Sequence, residues 1–268
     1  MVLMLLLASC ERPGDPRPRD QAARPDASAT AGAPLVRVFD AGREPRALTR
    51  FAFVPGRAET ALLELESRLT RGSVALGEER VRLRLGVRYP AQDVVELTLL
   101  GGETTAPDIP RLTSTIGARF LQKVTSSGHS EPPEVTFPPG SDARAVEYVH
   151  GAVVQVASNL APALPPEPIG EGARWAHNDL RFELVAWPGE RLTVERRSEM
   201  RGSQRLATGE MVRVNEEQSY RIEAAPDGIA RRVEAQLVAE QPGGATMATR
   251  LRFEVEGAPQ DRPPAPPP

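Results

Sequence analysis

Cysteine is almost missing: Cys10 is the single one in 268 residues. That excludes a disulfide framework and a thiolate metal cluster. Lysine is as scarce, since only Lys123 among the 33 Lys and Arg residues is a lysine. Aromatics make up 4%. Neither sign of charge dominates, because 33 basic against 36 acidic residues leave a formal net charge of -3. This balance excludes a nucleic-acid binder held by bulk positive charge. No apolar run reaches the ~18 residues that a membrane-spanning helix needs. G-x-S-x-G, HExxH, Walker and dinucleotide fingerprints are all missing. Gly101-Gly102 and Gly243-Gly244 are too short to cradle a phosphate and open no helix.

Proline, by contrast, is abundant: 27 residues, alongside 22 glycines, well above the usual ~5%. Arginine replaces lysine throughout, as a GC-rich genome would encode. Most arginines stand at alternating strand positions that face solvent.

The chain starts Met1-Val-Leu-Met-Leu-Leu-Leu-Ala-Ser-Cys10. Leu7-Ala8-Ser9-Cys10 resembles the bacterial lipobox. In that family the peptide is cut before the cysteine, whose sulfur takes a diacylglycerol and whose new amino group is acylated, commonly by palmitate. Several acyl chains on one residue make a stable anchor. The basic n-region of a signal peptide is missing, so the start of translation is expected upstream. Glu11 follows the cysteine. The lipoprotein sorting rule retains proteins with Asp at that place in the inner membrane, so Glu11 implies the outer membrane. The segments are therefore expected to be a signal peptide over 1–9, a lipidated Cys10 and proline-rich tether over 10–45, a β-rich domain over 46–257 and a proline-rich tail over 258–268.

The body repeats with period two. Val81, Leu83, Leu85, Val87 and Tyr89 alternate with Arg82, Arg84, Gly86 and Arg88. Met247, Leu251, Phe253 and Val255 do the same around Arg250, Arg252 and Glu254. Leu180–Leu184 and Tyr220–Ala224 follow suit. This is the pattern of strands with one buried and one wet face. Further strands are expected near 50–55, 60–70, 93–100, 114–124, 191–200 and 229–239. Turn residues separate them at Pro55-Gly56, Ser127-Gly128, Pro188-Gly189, Asp227-Gly228 and Gly243-Gly244. One segment changes period: Val146, Val149, Val153, Val156 and Leu160 recur at three and four. That predicts an amphipathic helix over 141–161, with Ser141 as N-cap, Asp142 in the first turn and Pro162 as stop. The expected fold is mainly β: a curved antiparallel sheet or half-barrel of about ten strands covered by one long helix.

After the helix, Pro165-Pro-Glu-Pro-Ile-Gly-Glu-Gly-Ala-Arg-Trp175 resembles a P-x-x-P-(I/V)-G-x-G-A-x-W phrase of uncharacterised Gram-negative lipoproteins. The resemblance spans roughly residues 110–200 and implies a periplasm-facing β-rich domain, with no activity attached. Gly170 and Gly172 are expected to supply backbone angles a side chain forbids, and Trp175 to anchor the loop. Ile116-Gly-Ala-Arg-Phe120 echoes Glu171-Gly-Ala-Arg-Trp175, too briefly to establish a duplication.

Candidates for chemistry are few. His129, His150 and His177 have no metal-ligand spacing. Ser126 and Ser127 belong to a turn, and Glu78-Glu79 and Glu216-Glu217 read as solvated loop charges. No catalytic residue, metal or cofactor is assigned. Val146, Val149, Val153, Val156, Trp175 and Trp187 would line any apolar cavity beneath the helix; a filled core would deny them that role. The expected function is non-enzymatic: a lipid-anchored binding protein for an apolar ligand or lipid, with no nucleic-acid partner. The alternatives are a structural or assembly lipoprotein that binds an envelope protein and, more remotely, a hydrolase.

Overall fold

The computed structural model describes residues 36–107, 109, 111–187, 191–205, 211–241 and 244–256. The alternating segments form twelve strands: β1 (Val36–Asp40), β2 (Ala58–Arg71), β3 (Val74–Ala91), β4 (Val94–Thr104), β5 (Arg119–Lys123), β6 (Glu134–Thr136), β7 (Arg174–His177), β8 (Leu180–Ala186), β9 (Leu192–Arg205), β10 (Met211–Ala224), β11 (Ala230–Gln241) and β12 (Ala245–Val255). One α-helix, α1 (Ala143–Ala157), lies between β6 and β7. The strands make a single open, curved, antiparallel sheet in the order β1-β7-β8-β9-β10-β11-β12-β2-β3-β4-β5-β6. Among the described residues the fold is therefore mainly β, with one covering helix.

The order explains the helix. The chain walks from β2 in mid-sheet to the β6 edge, then must reach β7 near the opposite edge. α1 makes that crossing over the inner face. Val149, Val153 and Val156 on α1 join Leu63, Leu85 and Phe253 of the sheet in one contiguous core. Each buried aliphatic side chain contributes on the order of 1.5–3 kcal/mol. The outer face carries the charges: Arg82–Glu64 and Arg80–Glu66 bridge β3 to β2 at 3.3 Å each, and exposed pairs of this kind add only ~0.2–1 kcal/mol.

Several expectations need correction. The helix starts at Ala143, and its N-cap is Asp142, which accepts from the Arg144 and Ala145 N–H groups. Ser141 instead turns its hydroxyl to the carbonyls of Ser114 and Pro138, at 2.8 and 2.7 Å. Residues 50–55 form no strand. They belong to a segment that runs across one end of the sheet. Phe51 N donates to Ser126 O, Ala52 N to Pro226 O and Phe53 N to Gln92 O, so three separate loops satisfy its backbone while Phe51 and Phe53 enter the core. Within 114–124 only Arg119–Lys123 is strand; Leu112–Thr115 is a 3-10 turn.

The tether boundary also moves. Val36–Asp40 pairs with β7 as an edge strand, so the folded body already includes residues expected to be tether. Its five residues are too short, and too close to prolines, for alternation to register. β6 and β7, of three and four residues, escaped for the same reason. Cys10, the remaining tether, Pro188-Gly189 and the tail lie outside the described residues.

The Gly-Ala-Arg-aromatic echo is a real structural rhyme. Gly117 and Gly172 have φ of 92° and 83°. Gly117 N donates to Leu99 O and Leu99 N to Ala118 O; Gly172 N donates to Leu184 O and Leu184 N to Ala173 O. In both, a buried Ala and an exposed Arg precede an aromatic that enters the core. Gly170 differs: a Cβ there would lie 1.8 Å from Arg43 O. It is required for close approach of the backbone rather than for its dihedral angles.

Candidate functional site

A cavity of about 230 Å³ lies where the two ends of the sheet approach each other below the end of α1. Gly128, His129 and Ser130 come from the loop after β5, and Ser158, Asn159 and Ala161–Ala163 from the helix exit. His177, Asn178, Leu180 and Phe182 come from β7 and β8, while Arg196 and Ile222 come from β9 and β10.

Local sequence sets each wall. Gly128 has φ of 80°, and a Cβ there would collide with Pro162 O. The loop can therefore dock on the helix exit, where Leu164 N donates to Ser127 O at 2.7 Å. Across the cavity, His177 pairs with Leu180 around a two-residue turn. Asn178 holds its φ of 54° there, a left-handed angle that Asn tolerates better than most side chains. Together these turns bring His129 and His177 to a ring separation of 5.3 Å, edge to face. His177 is buried. Burial, and secondarily the neighbouring His129, lower its pKa below the ordinary histidine value.

The floor of the cavity holds Arg196, 7% exposed. Strand parity puts it there: it follows Leu192 and Val194 on the inner face and pairs across strands with Tyr220 and Phe182. One terminal nitrogen donates to Asn159 Oδ1 at 2.5 Å and the other to Gln218 Oε1 at 3.0 Å. Its Nε is buried without a partner. The guanidinium carbon stands 3.9 Å from the Tyr220 ring centre. Burial pushes the Tyr220 hydroxyl pKa up, and the neighbouring Arg196 charge pulls it partly back. Gln218 in turn donates to Glu216 Oε1 at 2.5 Å.

The six sequence candidates lie elsewhere. Val149, Val153, Val156 and Trp175 are fully buried in the core, and Val146 and Trp187 are half-buried. Trp175 stacks on Phe182 with centroids 5.5 Å apart and donates Nε1–H to Ala163 O at 2.7 Å. None of the six lines this cavity. Of the histidines, His129 and His177 meet, whereas His150 points to solvent from α1. Glu78-Glu79 and Glu216-Glu217 are on β3 and β10 rather than in loops. Glu216 faces inward and is buried, while Glu78 pairs with Arg68 and Arg80 on the surface. The residue missed by the sequence reading is Arg196. Its signal was parity with Leu192 and Val194, hidden among arginines that mostly do face outward.

Among the described residues no three His, Cys, Asp or Glu side chains gather as metal ligands. No helix among them is long and apolar enough to cross a membrane.

No family model matches the chain, and no curated protein matches it either. A solved structure concerned with lipid–protein interactions in lipovitellin is similar, with a TM-score of 0.52 and 13% identity. The match covers 80% of this chain and 26% of that one. At that identity the likeness is one of fold: a large open antiparallel sheet.

Proposed function

We propose that this chain is a lipid-anchored lipoprotein of the cell envelope, held in the outer membrane through Cys10 and facing the periplasm, whose β-rich body binds an apolar or lipid ligand without transforming it. The observation that carries the binding role is the cavity at the seam. One wall is apolar, from Leu180, Phe182 and Ile222, and the other polar, from His129, Ser130 and Asn159. Such a mixture suits a ligand that is apolar at one end and polar at the other. The fold shared with lipovitellin, whose structure concerns lipid–protein interactions, supports the same reading as an analogy of architecture. The anchor rests on Leu7-Ala8-Ser9-Cys10 alone.

The lining residues of the cavity include two imidazoles and serines but no Asp or Glu, which fits binding better than acid–base hydrolysis. An assembly role through a sheet edge has less support, because the edge strands β1 and β6 have only five and three residues.

Two measurements on the full chain, expressed in a Gram-negative host, test the proposal. Mass spectrometry of the N-terminal peptide is expected to find a triacylated Cys10, and Cys10→Ser to release the protein from the membrane. An unmodified Met1 peptide on a soluble protein would reject the anchor. Native mass spectrometry is expected to find a co-purifying lipid; a bare chain that also takes up no added lipid would reject the binding role.

A further inference from the structure

We infer that the cavity at the seam takes an oxyanion carried on an apolar body, with Arg196 as the counter-charge. The inference rests on reading the cavity as a binding site and needs nothing from the lipid anchor. Its first support is the charge of the walls. The lining residues hold the Arg196 guanidinium and no carboxylate.

The second support is the state of Arg196 itself. A buried cation is costly to hold unless it is paired. By contrast the half-buried Arg231 has a carboxylate partner, Glu59. The terminal nitrogens of Arg196 meet neutral groups, the amide oxygens of Asn159 and Gln218 and the neighbouring Tyr220 hydroxyl, and no carboxylate. Its buried Nε has no partner at all. Glu216 is joined to it only through Gln218 and does not line the cavity. The side of the guanidinium network at the cavity is therefore positive, with its balancing charge set back behind an amide.

The third support is the company of that charge. Asn159 is buried beside it, Ser158 and Asn178 are exposed at the mouth, and Leu180, Phe182 and Ile222 form an apolar wall. About 230 Å³ is below the usual ~300–1,000 Å³ of a site for a whole drug-sized ligand. It has room for a head group and the first carbons of its tail. The chemistry required is that of a carboxylate or phosphate. A fatty acid or phospholipid head group supplies it, and so does free phosphate.

The experiment is calorimetry on the full chain carrying Cys10→Ser, which avoids detergent. The titrants are hexanoate, hexyl phosphate, hexyltrimethylammonium and inorganic phosphate. Hexanoate or hexyl phosphate is expected to bind at least tenfold tighter than the ammonium compound. Inorganic phosphate binding tenfold weaker than hexyl phosphate assigns the site to a lipid-like anion; equal binding assigns it to free phosphate. Arg196→Met is expected to abolish the preference. Because Arg196 is buried, that variant can fail to fold. His129→Glu, at a half-exposed loop position, is the second test: it sets a carboxylate at the cavity and is expected to cut anion affinity at least tenfold with the melting temperature unchanged. Equal binding of cation and anions, no binding of any titrant, or unaltered affinity in His129→Glu overturns the inference. A neutral lipid co-purifying with a protein that shows no anion preference leaves the binding function standing and removes only the anion.

Discussion

The Arg196 guanidinium carbon lies 3.9 Å from the centre of the Tyr220 ring, and the two residues are direct cross-strand partners on the inner face of β9 and β10. A cation over a desolvated aromatic face is attracted by the ring quadrupole. Asn159 and Gln218 complete its shell. Removing the side chain leaves the buried Asn159 Oδ1 without its donor and takes from the half-buried Gln218 Oε1 the closer of its two, the other being the Ser198 hydroxyl at 3.4 Å. Arg196→Ala is therefore expected to lower stability by about 3 kcal/mol. Arg196→Met, which keeps most of the volume over Tyr220, is expected to cost less than half of that. Urea unfolding followed by tryptophan fluorescence measures both; equal losses would show that the polar shell, and not packing volume, is what Arg196 supplies.

His177 makes stability depend on pH. Burial, then the neighbouring His129, lower its pKa in the folded state below the ordinary 6.5. Between the two values the unfolded chain binds more protons than the folded one, so stability rises with pH in that window. Its contribution is complete above pH 6.5 and is lost as pH falls from 6.5 towards the folded value. The slope from one such group is at most about 1.4 kcal/mol per pH unit. Urea midpoints measured from pH 7.5 to 5 are expected to fall, and to fall less steeply in His177→Gln. Identical slopes in the two proteins would remove His177 from the account.

How much of this was legible beforehand depends on length and on distance along the chain. The long strands were readable because nine or more residues of strict alternation, as in Val81–Tyr89, leave no competing interpretation. α1 was readable from its valines, although its cap was displaced by one residue: Ser141 and Asp142 are both good N-caps, and only the tertiary pull of Ser114 on Ser141 decides between them. β1, β6 and β7 were illegible because they are shorter than the window in which a period exists. Residues 50–55 alternate like a strand, since Phe51 and Phe53 point inward, but their backbone partners come from three distant loops. The cavity was the least legible part. His129 and His177 are 48 positions apart in sequence and meet only because α1 carries the chain from one edge of the sheet to the other.

Gly170 and Gly172 separate two reasons for a glycine. At Gly170 a Cβ would overlap the Arg43 carbonyl, with φ in no unusual region. At Gly172 φ is 83° and nothing lies within 4 Å of where a Cβ would be. Gly172→Ala is thus expected to cost ~1–2 kcal/mol from backbone strain alone. Gly170→Ala must push away the segment that follows β1, breaking the Arg43–Glu171 and Ala47–Ile169 backbone contacts; overpacking of this kind costs ~1–3 kcal/mol or more. Hydrogen exchange discriminates them. Protection of the residue 41–47 amides is expected to fall in Gly170→Ala and to persist in Gly172→Ala.

Val153 tests whether the helix valines are packing residues or ligand contacts. It is fully buried, belongs to the contiguous core and does not line the cavity. Val153→Ala removes two methyl groups and leaves a void that neighbours fill only in part, for a loss of about 1–3 kcal/mol. If its part is packing, the hexanoate affinity of the folded variant equals that of the parent chain, measured by calorimetry well below its unfolding temperature. An apolar ligand held directly under α1 predicts the reverse: affinity falling severalfold along with stability. Pairing Val153→Ala with His129→Glu makes the distinction complete, since the first is expected to change stability without affinity and the second affinity without stability.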